Sequence, residues 1–177
     1  KKFEAVANWL HFIIQGGKME KIASFTVNHI DLLRGIYVSR KDSVGNGMVT
    51  TFDLRWKVPN KEEVMGTGEM HAIEHLAATF LRNHPVEKDN IIYFGPMGCR
   101  TGFYLLMKGD LESKNIVGLI KEMLEFVSNF EGEIPGATPR DCGNCADMNL
   151  FLARNEAKKY LVEVIENIGF DNLNYPK

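Results

Sequence analysis

The order of its elements predicts an α+β fold: an antiparallel sheet with helices packed on one side, in a single domain. Three observations predict it. Strand-like segments come together before the first long helix of the domain, and a further pair follows without the length of a crossover, so neighbouring strands run antiparallel. Helical periodicity occupies separate, longer stretches. At 177 residues the chain has the size of one domain and can bury roughly 70% of its unfolded surface.

In chain order, Phe3, Val6, Ala7, Leu10, Ile13 and Ile14 fall at helical spacing and end at Gly16-Gly17. Lys1-Lys2 ahead of them resembles a signal peptide, but Glu4, Asn8, His11 and Gln15 break the apolar run and no small-residue cleavage site follows. Residues 1–18 therefore read as an N-terminal extension or an expression-derived leader. Met19 is a candidate original start, and residues 19–177 are the domain proper. Ser24–His29 and Gly35–Arg40 read as short strands, Gly45-Asn46-Gly47 as a turn, and Met48–Val58 alternates like a third strand. Gly68–Leu81 reads as a helix that stops before Pro85, with His84 a helix-end residue favoured by the dipole. Ile91–Phe94 and Thr101–Lys108 are strands flanking a tight turn over Gly95–Gly98. Ser113–Phe130 repeats Ile116, Ile120, Met123 or Leu124, and Val127 at helical spacing. Gly132–Asp141 is a Pro/Gly loop and Asp147–Ile168 a last helix.

Composition excludes several function classes. Net charge is −2 with acids and bases interspersed, so no basic face points to nucleic acid. No uninterrupted apolar run approaches the length of a membrane span. Three cysteines are an odd count, which disfavours disulfides, favours metal or catalytic use, and fits a cytoplasmic enzyme.

The densest chemical signal is His71-Ala72-Ile73-Glu74-His75. Histidines four apart on a helix rise from one face and can reach one divalent metal. Glu74, one residue before the second histidine, can stand beside that metal without ligating it, where a general acid/base belongs. Two surface histidines and a solvated glutamate would give the same pattern, but the apolar residues around the motif imply burial, which is costly for such groups when unpaired. A catalytic centre of this kind needs a third protein ligand and an open position. Cys142, in Pro139-Arg140-Asp141-Cys142-Gly143-Asn144-Cys145 just ahead of the predicted last helix, is a candidate, because helix N-termini favour a thiolate.

Other chemistries compete. His-x-x-Glu-His is also the signature of inverted zinc peptidases, where the glutamate activates water and a downstream glutamate is the third ligand; Glu156 is the nearest candidate here. A zinc-stabilised binding module would close the site with Cys145 as fourth ligand. A four-cysteine knuckle lacks a second pair, and no thioredoxin-like pattern precedes Cys142-x-x-Cys145.

Met19-Glu20-Lys21-Ile22-Ala23-Ser24-Phe25-Thr26-Val27-Asn28-His29, Phe52-Asp53-Leu54-Arg55, His71–His75, Gly95-Pro96-Met97-Gly98-Cys99-Arg100-Thr101-Gly102-Phe103-Tyr104 and Cys142-Gly143-Asn144 occur in this order. Together they resemble the S-ribosylhomocysteine lyase (LuxS) family over residues 19–177. The resemblance implies cleavage of S-ribosylhomocysteine to homocysteine and 4,5-dihydroxy-2,3-pentanedione, the autoinducer-2 precursor. It also implies a homodimer with active sites between subunits and one divalent metal per subunit, Fe2+ in the cell and often Zn2+ or Co2+ in preparations. It makes His71, His75 and Cys142 the ligands, Glu74 and Cys99 the acid/base pair, and Ser24, His29 and Arg55 substrate contacts. Tyr93 stands where several relatives carry an acidic residue near the amino-acid end of the substrate. The resemblance gives Cys145 no role, and residues 1–18 have no family counterpart.

That chemistry suits the residues. Two neutral imidazoles and a thiolate leave a divalent metal with net positive charge, able to polarise a sugar oxygen. Moving a carbonyl along the sugar takes a proton from one carbon and returns it to the next, which suits two acid/base groups. Once the carbonyl is at carbon 3, the thioether lies β to an acidic carbon and can be eliminated. Cys99 then needs a lowered pKa, for which the metal and Arg55 are candidate causes. By residue type alone, Cys99 also reads as a small buried hydrophobe after a turn, Arg55 as a strand-surface cation and His29 as a turn histidine.

Overall fold

The computed structural model describes residues 2–14, 16–17 and 19–177. Helix α1 (Lys2–Ile14) has no buried residue, and Phe3, Trp9 and Phe12 stand largely in solvent. The helical periodicity of this segment is real, but its apolar side chains remain unburied. Lys1 and Gln15, which entered the reading of that leader, lie outside the described residues.

Two antiparallel hairpins lie side by side in a sheet of order β1-β2-β4-β3. Strands β1 (Gly35–Val44) and β2 (Gly47–Arg55) are joined through Gly45, which adopts φ +58°, and Val44 pairs with Gly47. A left-handed first turn residue matches the twist of a tight hairpin, which is what glycine permits. Strands β3 (Ile91–Pro96) and β4 (Gly102–Lys108) form the second hairpin, and β4 pairs with β2 along its length. Helices α3 (Thr67–Asn83), α4 (Val117–Asn129) and α5 (Leu150–Glu163) pack together, and α3 also lies against β3.

Period-two alternation separates the faces of the sheet. Phe52 and Leu54 on β2, with Phe103, Leu105 and Met107 on β4, join Ile73, Leu76 and Ala77 of α3 in one core. Trp56 stacks on Tyr160 of α5 and meets Phe103 edge-on. The opposite face presents Thr51, Asp53, Arg55 and Tyr104, and only short segments cover it. The predicted α+β architecture, with helices on one side, is the observed one.

Four local expectations are corrected. Ser24–His29 is not a strand: Ala23–Thr26 forms a single helical turn, α2. Its Phe, Thr and Val favour extended backbone, but no strand partner is available and the segment lies over a cavity instead. Strand β2 ends at Arg55 rather than Val58, because the Trp56 and Lys57 N–H groups both turn to Thr101 O, at 2.9 and 3.0 Å. The last helix is shorter than Asp147–Ile168. Asn149 caps it, accepting from the Leu152 N–H at 2.9 Å, and it stops at Glu163 before a separate 3₁₀ turn at Ile165–Asn167. Cys142 is consequently not at the start of α5 but in a run of turns well before it, so the dipole of α5 is not what acts on its sulfur.

Candidate metal centre and thiol cavity

On α3, His71 and His75 point the same way, with ring centroids 4.9 Å apart. The loop between α4 and α5 folds over this face and holds both rings. His71 Nδ1 lies 2.8 Å from Asp147 O and His75 Nδ1 lies 2.7 Å from Pro135 O. A carbonyl oxygen only accepts, so each Nδ1 carries its proton and each Nε2 keeps its lone pair free for a metal. The same loop brings in Cys142, whose Sγ lies 3.3 Å from His71 Nε2, near the edge of about 3.6 Å expected between N and S donors on one tetrahedral ion. All three donor atoms lie within 4.8 Å of one another. In place of a helix dipole, the Asn144 N–H points at the Cys142 sulfur from 3.4 Å.

The loop carries a specific steric requirement. Gly136 has φ +71°, and a Cβ there would lie 3.3 Å from His75 Nδ1. Only glycine combines that backbone with that proximity to the ring. Among the described residues no fourth His, Cys, Asp or Glu joins the three. Cys145 is therefore not a closing ligand, and the donor set is that of an open site. Glu156 is engaged elsewhere, its Oε2 2.7 Å from Lys57 Nζ, which removes the third ligand a peptidase reading needs. Glu74 is half-buried on the same helix.

The second cluster lies on the open face of the sheet. Ser24, His29, Arg55 and Cys99 line one cavity of about 270 Å³, together with Asp53 and Tyr104. His29 Nδ1 donates to Val27 O at 2.9 Å. Cys99 sits on the turn between β3 and β4, where the Arg100 N–H closes onto Met97 O at 2.9 Å and Arg100 adopts φ +60°. For an arginine this is an uncommon conformation, worth on the order of 1–2 kcal/mol of strain. The turn is locked by Thr101 O and by Arg100 O, which accepts from the Met65 N–H at 3.1 Å. The sulfur is thereby exposed to the cavity.

Hydrogen bonds set the state of that sulfur. Arg55 is clamped by Asp53 through Nε at 3.1 Å and Nη2 at 2.5 Å. Its Nη1 donates to Thr101 Oγ1 at 2.5 Å and lies 3.9 Å from Cys99 Sγ. Thr101 Oγ1 is 3.0 Å from Cys99 Sγ. Because guanidinium only donates, the threonine oxygen accepts from it and has its own hydrogen for the sulfur. Partial burial pushes the Cys99 thiol up, but the Thr101 hydrogen bonds and the Arg55 charge outweigh it, and the thiol ends below its ordinary value. This stabilisation exists within one chain and without a metal.

The sequence model of the S-ribosylhomocysteinase (LuxS) family matches residues 22–171. The chain belongs to the S-ribosylhomocysteinase (LuxS) family. It is 61% identical over 158 residues to the S-ribosylhomocysteine lyase of Phocaeicola vulgatus, covering 89% of this chain and 98% of that protein. The enzyme of the same name from Porphyromonas gingivalis is 60% identical, covering 89% and 99%, and that from Finegoldia magna is 60% identical, covering 90% and 100%. None of His71, Glu74, His75 or Cys142 lines the Cys99 cavity.

Reading the sequence missed Asp53 and Thr101, the partners of Arg55, and Pro135, Gly136 and Asp147, the supports of the two histidines. Asp53-x-Arg55 carried a usable signal, since residues two apart on a strand share a face. The loop residues carried none, because their role depends on how the loop folds onto α3. Tyr93 lines a neighbouring cavity of about 370 Å³ that shares Ser24 and Tyr104 with the first.

Proposed function

We propose that the protein cleaves S-ribosylhomocysteine to homocysteine and 4,5-dihydroxy-2,3-pentanedione, by migration of a sugar carbonyl followed by β-elimination. The observation that carries this reading is the open donor set in a LuxS-family chain: two imidazoles with Nε2 free and one thiol. His71, His75 and Cys142 would hold one divalent metal per subunit, Fe2+ in the cell and Zn2+ or Co2+ as substitutes. When bound, the metal supplies Lewis-acid polarisation of sugar oxygens.

The chain's own residues do the rest. Cys99, whose thiolate form Thr101 and Arg55 favour, takes a proton from a sugar carbon and returns it to the neighbouring one. Glu74, adjacent to the ligand His75, serves as the second acid/base. With the carbonyl at carbon 3, a proton leaves carbon 4, a carbon–carbon double bond forms, and the carbon–sulfur bond breaks to release homocysteine. Ser24, His29 and Arg55 contact the substrate, a role their shared cavity with Cys99 supports.

We infer a homodimer. The lightly covered sheet face bears the Cys99 cavity, and the metal donors do not line it. A second copy would bring the His71–His75–Cys142 centre and Glu74 of one subunit to the Cys99 of the other. Residues 19–177 form the catalytic domain and residues 1–18 lie outside it, a division supported by the match to residues 22–171. No helix among the described residues is long and apolar enough to cross a membrane. We assign the enzyme to the cytoplasm, where a thiol-dependent centre stays reduced. The deciding experiment incubates purified protein with S-ribosylhomocysteine and titrates released thiol with and without a chelator. Chelator-sensitive release is expected, and no release by metal-loaded protein would overturn the reading.

A further inference from the structure

Tyr175 closes one side of the Cys99 cavity, yet it lies beyond the family-matched residues 22–171. Its phenol donates to Asp53 Oδ2 at 2.9 Å, the oxygen that also receives Arg55 Nη2. Its ring stacks on Tyr37, with centroids 4.7 Å apart and planes 9° apart. Tyr37 is itself tied to both ends of the fold, donating to Leu33 O at 3.0 Å and to Asp171 O at 3.2 Å. The tail is pinned again where Asn172 Nδ2 donates to Arg34 O at 2.8 Å. Tyr175 is therefore held from below by its ring and engaged from above through its hydroxyl.

An unbroken chain of hydrogen bonds links this residue to the sulfur. The phenol donates to the carboxylate, and the carboxylate receives the guanidinium. The guanidinium donates to Thr101 Oγ1, and the threonine hydrogen is left for Cys99 Sγ. The side chains of Arg55 and Asp53 are only 4% and 3% exposed, so water cannot replace a missing partner there. The titratable groups facing the Cys99 cavity are Asp53 and Arg55 from β2, Tyr104 from β4, His29 from the segment after α2, and Tyr175. Among them, Tyr175 is the group besides Arg55 that donates a hydrogen bond to Asp53.

We propose that Tyr175 is a positioning residue for Cys99: by fixing the Asp53 carboxylate it fixes the Arg55 fork, and through Thr101 it holds the sulfur ready to accept a proton. The C-terminal tail is then part of the active site, although it touches no metal donor. The proposal rests on reading Cys99 as the proton-transfer group. Without the phenol hydrogen bond, more of the Asp53 charge falls on the cavity and Arg55 is freer to turn from Thr101. Both changes disfavour an anionic sulfur.

The test is Tyr175→Phe in the metal-loaded full chain, which keeps the ring stack on Tyr37. Iodoacetamide alkylation mapped to the Cys99 peptide is followed against pH, without substrate. The variant should alkylate about threefold more slowly at any pH below both midpoints, with its midpoint moved toward that of an ordinary thiol. Thiol release from S-ribosylhomocysteine should show a several-fold lower kcat with KM nearly unchanged, and metal content and melting temperature should hold. An unchanged alkylation profile overturns the proposal, whether or not the melting temperature falls; a fall would make Tyr175 a packing residue only. Because alkylation is read without substrate, a wild-type chain that fails to release homocysteine would sink the lyase reading alone.

Discussion

At the scale of single residues, proton transfer and metal binding are separable. Cys99→Ala and Glu74→Gln should keep metal and fold but lose homocysteine release by at least about 10²-fold, the usual contribution of a positioned acid/base. Elemental analysis and thiol titration check the two halves, and NMR of carbon-bound protons in heavy water shows which transfer has stopped. Near wild-type release by Cys99→Ala would return that residue to the role of a packed turn cysteine. The lowered Cys99 pKa carries a sign. Thiolate reactivity should persist below the ordinary cysteine value of about 8.5 and vanish as pH falls through the lowered one. Thr101→Val should move the alkylation midpoint upward, and an unmoved midpoint would remove the hydroxyl from the account. Asp53→Ala leaves Arg55 buried without its counter-ion, so chemical denaturation should show a loss of about 3–5 kcal/mol.

At the scale of elements, α3 provides two of the candidate donors, and the loop before α5 provides the third and orients the others. Replacing His71, His75 or Cys142 with Ala should each lower metal occupancy sharply, whereas Cys145→Ser should not, since Cys145 stands outside the donor group. The more discriminating change is Gly136→Ala. The added methyl group strains a φ of +71° and approaches His75 Nδ1 at 3.3 Å, displacing Pro135 O from the ring. Metal affinity should fall about 10- to 100-fold, the range for lost support behind a ligand. Competition with a chromogenic chelator measures it, and wild-type affinity would show that the loop adapts without holding His75.

For the molecule as a whole, the proposed homodimer is the reading to test. Static light scattering should give a dimer, and a fully active monomer at assay concentration would contradict the shared site. Deleting residues 1–18 should leave activity intact, because α1 buries no residue; complete loss would make that helix part of the enzyme.

The sequence by itself determined the fold class, the family and a candidate set of metal donors. Helical spacing puts His71 and His75 on one face, and strand alternation splits the sheet into an apolar face and a polar one; both are local geometry, readable without contacts. Tertiary structure alone decided how those candidate donors are held and which groups favour the thiolate of Cys99. Pro135 and Asp147 reach the histidines across separations of 60 and 76 residues, and Tyr175 reaches Asp53 across 122. The failure at Ser24–His29 has the same cause: its β-forming side chains have no strand to pair with, and pairing is a property of the folded chain. Cys142 does not lie at the helix start expected of it; its sulfur is brought beside His71 by the loop's hydrogen bonds to α3.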